Sequence, residues 1–451
     1  MEPLRHLANF VSDLTYEKLP QSVRRAALGC ILDTVSVGAG AAKEDQLQSV
    51  TAQLLSAFGR DPVSTLWGQG QKAPLASAVF LNAMASHTLE LDDVHTASKT
   101  HIGTVVIPAA WALAEQLGCS GTQLITAVTA GYEAAARIGM AFGVVSHRKH
   151  GWHATGTAGV FGAGAACASL LGLSKEQTLY AFALSGAQAS GVWAFLGDGS
   201  SCKALNPARA AVNGCTAAYL SKAGMSGPEH ILTAQDGGLF GAMTDEPIPD
   251  QVDSGLGQKW EILQLDKKPY PCCRSTHCVI DGILALRKAH SIPVDQVRQV
   301  TVETYEVGYQ QCGVSESSLS PKTPAQAKFS TPYTAAVALA TGNVTLSDFA
   351  PEAIFREDIR SLMPRIQVIS SPHFSRAYPG SWGCCVHILM SDGTQYSQIV
   401  SDASGSVANP QSEQQLKDKA DSLFARASVP LSKNLSGQLL SLAQLPTLPE
   451  L

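Results

Sequence analysis

Small residues recur through the apolar segments of this chain at a spacing that a packed helix can use. Gly156, Gly159, Gly162 and Gly164 fall in one apolar stretch that continues to Leu173. Glycines so placed let neighbouring backbones approach closely, so the stretch reads as a helix gripped by other helices. It does not match the phosphate-cradling GxGxxG pattern, and no clear strand precedes it. Hydrophobic residues make up 45% of the chain but aromatics only 6%, a balance that favours tight helix packing over a β-sandwich. The longest apolar run, Val160 to Leu173, is shorter than the roughly 20 residues a membrane span needs.

Helical spacing continues on both sides of that stretch. Pro20 to Asp33, Pro74 to His87, Thr122 to Phe142 and Pro207 to Ala223 each have it, and Ser174 to Gln177 forms a capping box before Thr178. The character changes near residue 263. Val297 to Tyr305 and Arg365 to Ser370 read as strands, and Val386 to Met390 with Gln395 to Val400 as a hairpin about Asp392-Gly393. Helices are expected at Pro324 to Ala340 and Asp348 to Met363, then an amphipathic one at Ser412 to Ala427, with a loose tail from Pro446. A chain of 451 residues exceeds one ordinary domain. The expected layout is mainly α: residues 1–262 helical, 263–400 a smaller α+β unit, and 401–445 returning to the helical unit.

The charges are concentrated. Residues 90 to 101 hold Glu90, Asp92, Asp93, His95, Lys99 and His101 in a chain that is only 15% charged. Apolar segments flank them (Leu75 to Ala85 and Val105 to Ala114), so these groups must be paired, solvated or used. A charged interhelical loop and an acid–base site are both consistent with the spacing. The net charge of −5 points to neither nucleic acid nor an anionic membrane as partner. Eleven cysteines, an odd number, read as reduced thiols. Cys272, Cys273, His277 and Cys278 lack the spacing of a zinc knuckle. With no apolar signal core at the N-terminus, a cytoplasmic location is expected.

Four other places offer chemistry. His153 stands at the mouth of the glycine-rich helix, beside Lys149 and His150. Lys203 precedes a helix start at Asn206-Pro207, a suitable anion site. Lys268, Arg274 and His277 project from the proline-fixed segment Asp266 to His277, at the expected domain junction. Tyr309 follows a strand end. Walker, dinucleotide, zinc and nucleophile-elbow motifs are missing. The set suits proton transfer on a carboxylate-rich small molecule without metal or organic cofactor: cations hold carboxylates while an acid and a base move protons.

In this order the motifs resemble the MmgE/PrpD family of 2-methylcitrate dehydratases, cis-aconitate decarboxylases and iminodisuccinate epimerases. The resemblance rests on Glu90-Leu-Asp-Asp93 with His101, Val106-Ile-Pro-Ala109, Gly151-Trp-His153 and Lys203 through Ala211. Asn213-Gly214, Lys268-Pro-Tyr-Pro-Cys272, Ala327-Lys-Phe-Ser330 with Tyr333, and Asn409-Pro410 complete it. It implies a large helical domain from both chain ends, an α+β lid, a homodimer, and a site between domain and lid. By resemblance, His101 and His153 are the proton-transfer pair, Asp92 and Asp93 tune them, and Tyr309 assists. Lys203, Lys268, Glu90 and His277 would bind substrate. Val94 and Ile102 stand where some members carry Thr and Pro. The expected activity is a hydro-lyase of the 2-methylcitrate dehydratase type. Decarboxylation of cis-aconitate and epimerisation of an iminodicarboxylate are the enzymatic alternatives, and a silent tricarboxylate-binding protein is the non-enzymatic one.

Overall fold

A computed structural model describes residues 2–59, 61–198 and 200–451. Two hydrophobic cores organise them. The larger is helical and draws on both ends of the chain, from Leu4 to Leu265 and again from Leu416 to Leu451. The smaller runs from Cys272 to Ala403.

At the centre of the helical core lie Gly121–Ala141, Gly159–Leu170 and Leu205–Lys222. Their glycines are contact points. A Cβ on Gly162 would sit 2.8 Å from the carbonyl oxygen of Gly131, and one on Gly214 only 2.5 Å from that of Val160. Gln21–Gly40 and Leu75–Thr88 pack alongside, and the C-terminal helix Glu413–Phe424 closes onto Gln21–Gly40. The capping box at Ser174 forms as expected, with others at Ser120 and Ser412. The tail is not loose: Leu451 is buried and Leu448 packs on the core, because these leucines find apolar partners. No single helix among the described residues is long and apolar enough to cross a membrane.

The smaller core is a four-stranded sheet backed by helices. Its strand order is Ile366–Ser370, Val297–Thr304, Cys384–Met390, Gln395–Val400, the first pair parallel and the others antiparallel. His277–His290 and Thr331–Thr341 pack together and against this sheet. The single helix expected over Asp348 to Met363 is instead two 3-10 turns, Leu346–Phe349 and Ala353–Phe355, followed by the short helix Glu357–Arg360. Pro351 forces Ala350 into extended backbone, which stops a helix there. Likewise Pro324 to Ala340 divides into Pro324–Lys328 and Thr331–Thr341, with the Ser330 side chain capping the second.

Val94–His95 pairs antiparallel with Leu265–Asp266, which fastens the acidic segment to the start of the smaller unit. All eleven cysteines are free thiols.

Candidate active site

The acidic segment leaves the C-terminal end of Leu75–Thr88 and turns sharply. Glu90 (φ 58°) and Lys99 (φ 54°) both take left-handed backbone, a conformation that side-chain-bearing residues adopt at a cost. Between them the chain bends at Asp92, forms the short strand Val94–His95 and turns over Thr96–Lys99, so successive side chains leave in different directions. Asp92 and Asp93 therefore separate.

Asp92 turns toward His87, His101 and Lys268. One of its oxygens, Oδ2, accepts from His101 Nδ1 at 2.7 Å and from His87 Nδ1 at 2.9 Å. Both imidazoles are then protonated at Nδ1, which leaves each Nε2 as the acceptor. The rings meet edge to face with centroids 4.7 Å apart. Burial depresses His101 to about 4, against the opposing pull of Asp92. Asp92 itself sits well below the carboxylate range: burial raises it, but His87, His101 and Lys268 outweigh that.

Asp93 faces the helical core. Its Oδ1 accepts from the backbone N–H of Gly103 at 3.0 Å and its Oδ2 from the Tyr132 hydroxyl at 2.6 Å. It thus anchors the start of Gly103–Leu117 and does not reach an imidazole with its carboxylate, contrary to the expected tuning role. Only its backbone carbonyl faces His101, at 3.0 Å from Nδ1.

Glu90 holds two ammonium groups. Lys203 Nζ bonds its Oε1, and Lys268 Nζ lies 3.2 Å from its Oε2 and 3.8 Å from Asp92 Oδ1. A carboxylate so occupied fixes the lysines and repels an anionic substrate, so Glu90 orients the binding groups instead of binding substrate itself.

A chamber between the two units is lined by Glu90, Lys99, His101, Arg148, Lys203 and Lys268 on one side, with Cys273, Gln311, Tyr378 and Trp382 opposite. It adjoins an outer cavity of about 540 Å³, whose walls include Met84, His87, Phe195, Lys203, Val307, Lys328 and Phe329.

Three expected site residues stand elsewhere. His153 is fully buried, lies against Trp193 and Phe195 (ring centroids 4.5 and 5.9 Å), and lines neither cavity. Its Nδ1 accepts from Asn206 Nδ2 at 2.9 Å, which puts its proton on Nε2, an atom with no partner. Tyr309 packs into the smaller core, because one helical position rotates a side chain by about 100°. Its neighbours Val307, Gln310 and Gln311 face the cavities. His277 is buried against Tyr270, with Nε2 3.3 Å from the Cys272 carbonyl oxygen, and lines neither cavity.

The residues not foreseen are His87, Arg148, Trp193, Lys328 and Tyr378. His87 sits in the last turn of a helix whose periodicity reads as core, so nothing local marks it out.

His87, Asp92 and His101 bring three donor atoms within 4.8 Å of one another, a spacing that could hold a cation. The nearby ammonium of Lys268 opposes one, and Asp92 Oδ2 already serves two N–H donors. The arrangement favours proton transfer. Among the described residues, Cys272, Cys273, His277 and Cys278 do not converge on a metal position.

Comparison with known proteins fits this geometry. The chain is 26% identical over 418 residues to a cis-aconitate decarboxylase-like protein of Aspergillus oryzae, covering 88% of this chain and 86% of that one. It is also 26% identical to cis-aconitate decarboxylase of Mus musculus (91% and 84% covered) and 24% identical to that of Aspergillus terreus (87% and 84% covered). The model of the MmgE/PrpD N-terminal domain matches residues 5–251 and that of the C-terminal domain residues 270–433, so the chain belongs to the MmgE/PrpD family.

Proposed function

We propose that this protein is a carboxy-lyase acting on cis-aconitate or a close unsaturated tricarboxylate. The observation that carries the reading is one chamber in which His101, held by Asp92, faces the Lys203–Glu90–Lys268 group. Likeness to proteins named cis-aconitate decarboxylase over most of both chains supports decarboxylation ahead of the dehydration expected from the sequence.

The chemistry asks for three things. Carboxylates must be held so that one C–C bond to a carboxyl group can break. The electron pair left behind must pass into the adjacent C=C bond. A proton must then reach the far alkene carbon. One proton enters, one carbon dioxide leaves, and the double bond moves by one position. Lys203 and Lys268 hold carboxylates. His101 delivers the proton. In the free protein burial keeps that imidazole neutral near pH 7. A trianion bound against it reverses the local field and raises its affinity for a proton.

Proton NMR in deuterated water tests this with cis-aconitate, citrate, 2-methylcitrate and iminodisuccinate. The expected result is carbon dioxide release from cis-aconitate and a methylene-bearing dicarboxylate with one solvent deuteron. Water loss from the citrates without carbon dioxide release would restore the hydro-lyase reading. A homodimer accompanies the proposal, and sedimentation equilibrium reads it.

A further inference from the structure

The charges lining the inner chamber do not balance. Lys203 and Lys268 are offset by Glu90 and Asp92. Arg274 is paired with Asp266 at 2.8 Å. Lys99 and Arg148 also line the chamber, yet neither makes an ion pair or a hydrogen bond among the described residues. Each instead lies on an aromatic face: Lys99 Nζ is 4.5 Å from the Tyr378 ring centroid, and Arg148 Cζ is 4.5 Å from that of Trp193. A ring orients a cation without neutralising it.

Their placement has a cost on each side. Lys99 sits on left-handed backbone, in a loop closed by the His95–Thr100 bridge, which turns its side chain inward. Burial and the nearby Arg148 both oppose its charge, bringing its pKa down to about 8. Two like charges held in a half-buried chamber, with no acid between them, make a site for an anionic group.

We propose that Lys99 and Arg148 form a second carboxylate anchor, distinct from Lys203 and Lys268, that selects tricarboxylates over dicarboxylates. This rests on the proposed action on a tricarboxylate and deepens it. The two lysines on Glu90 grip one end of the substrate, and the unpaired cations grip the carboxylate a dicarboxylate lacks.

The test uses an unreactive probe, so it does not depend on turnover. Binding of propane-1,2,3-tricarboxylate and of glutarate is measured by titration calorimetry on wild type, Lys99→Met, Arg148→Gln and Lys99→Arg, each checked for folding by circular dichroism. Wild type is expected to prefer the tricarboxylate. Lys99→Met and Arg148→Gln should each weaken it about ten- to a hundredfold, as loss of a charged hydrogen bond does, while glutarate changes less than about threefold. Lys99→Arg should retain most of the preference. If wild type binds the tricarboxylate and the folded variants bind it equally well, or lose both ligands alike, the anchor is wrong while the proposed function stands. If wild type binds no tricarboxylate, both fall.

Discussion

At the residue scale the site turns on how one carboxylate is shared. Asp92 Oδ2 fixes the tautomer of His87 and His101 together, so its replacement disturbs two imidazoles at once. Asp92→Asn is expected to lower kcat by about a hundredfold or more, and His101→Gln by about 10²–10⁴, with circular dichroism unchanged. Turnover near the wild-type rate in His101→Gln would remove it as the proton donor. Asp93 behaves differently. Burial pushes its carboxyl up to about 7, with Asp33 adding to the rise and Tyr132 opposing it. From about pH 4, where the unfolded group ionises, to about pH 7, the folded protein keeps a proton that the unfolded chain has released. Stability from this group is therefore full below pH 4 and declines as pH rises to 7. Asp93→Asn, whose amide can still meet Gly103 N–H and the Tyr132 hydroxyl, lacks that decline. Urea unfolding at pH 5 and pH 8 should show the variant gaining on wild type by on the order of 2–4 kcal/mol.

At the scale of elements, tight helix contacts carry the segments that line the chamber. Leu205–Lys222, which begins just after Lys203, crosses Gly159–Leu170 at Gly214, where a Cβ would meet the Val160 carbonyl oxygen and the Ala163 Cβ at 2.5 and 2.6 Å. Both contacts are close to helix backbone and can yield only if the helices part. Gly214→Ala should cost about 2–3 kcal/mol in urea unfolding and move Lys203 relative to Glu90, raising KM more than it lowers kcat. Gly224→Ala tests a different constraint: open space surrounds that site, but φ is +93°, so the expected loss of about 1 kcal/mol comes from backbone strain alone. The glycines from 156 to 164 made one side of the first contact legible, and the capping box at Ser174 was equally plain in sequence. The false helix over Asp348 to Met363 came from weighing apolar spacing above Pro351.

At the scale of the whole molecule, one lysine from the C-terminal helix joins the pieces. Lys419 Nζ bonds Asp33 Oδ1 at 2.7 Å and the carbonyl oxygens of Leu91 and Lys268 at 2.8 Å each. It thereby ties the acidic segment, more than three hundred residues away in sequence, to the segment that carries Lys268 just after the strand Leu265–Asp266. Lys419→Met leaves Asp33 buried without its cation and two carbonyls without a donor. The expected loss is about 3–5 kcal/mol, together with a fall in kcat, because Asp92 and Lys268 lose their common brace. Stability reduced with catalysis intact would show that the brace serves folding alone.

The sequence by itself determined the helical and α+β parts and the local cluster of Glu90, Asp92 and His101, because periodicity, caps and charge density are local properties of a chain. That Lys203 and Lys268 join this cluster was implied only by the family resemblance. Only tertiary structure decided which way each side chain faces. It sent Asp93 into the helical core and Asp92 behind the imidazoles of His87 and His101, turned Tyr309 and His277 away, placed His153 behind Trp193, and brought in His87, Arg148 and Tyr378. The physical reason is that facing depends on rotation about a helix or on the direction of a bend, where one residue is enough to move a group from a cavity to a core, and the partner that fixes it lies far along the chain.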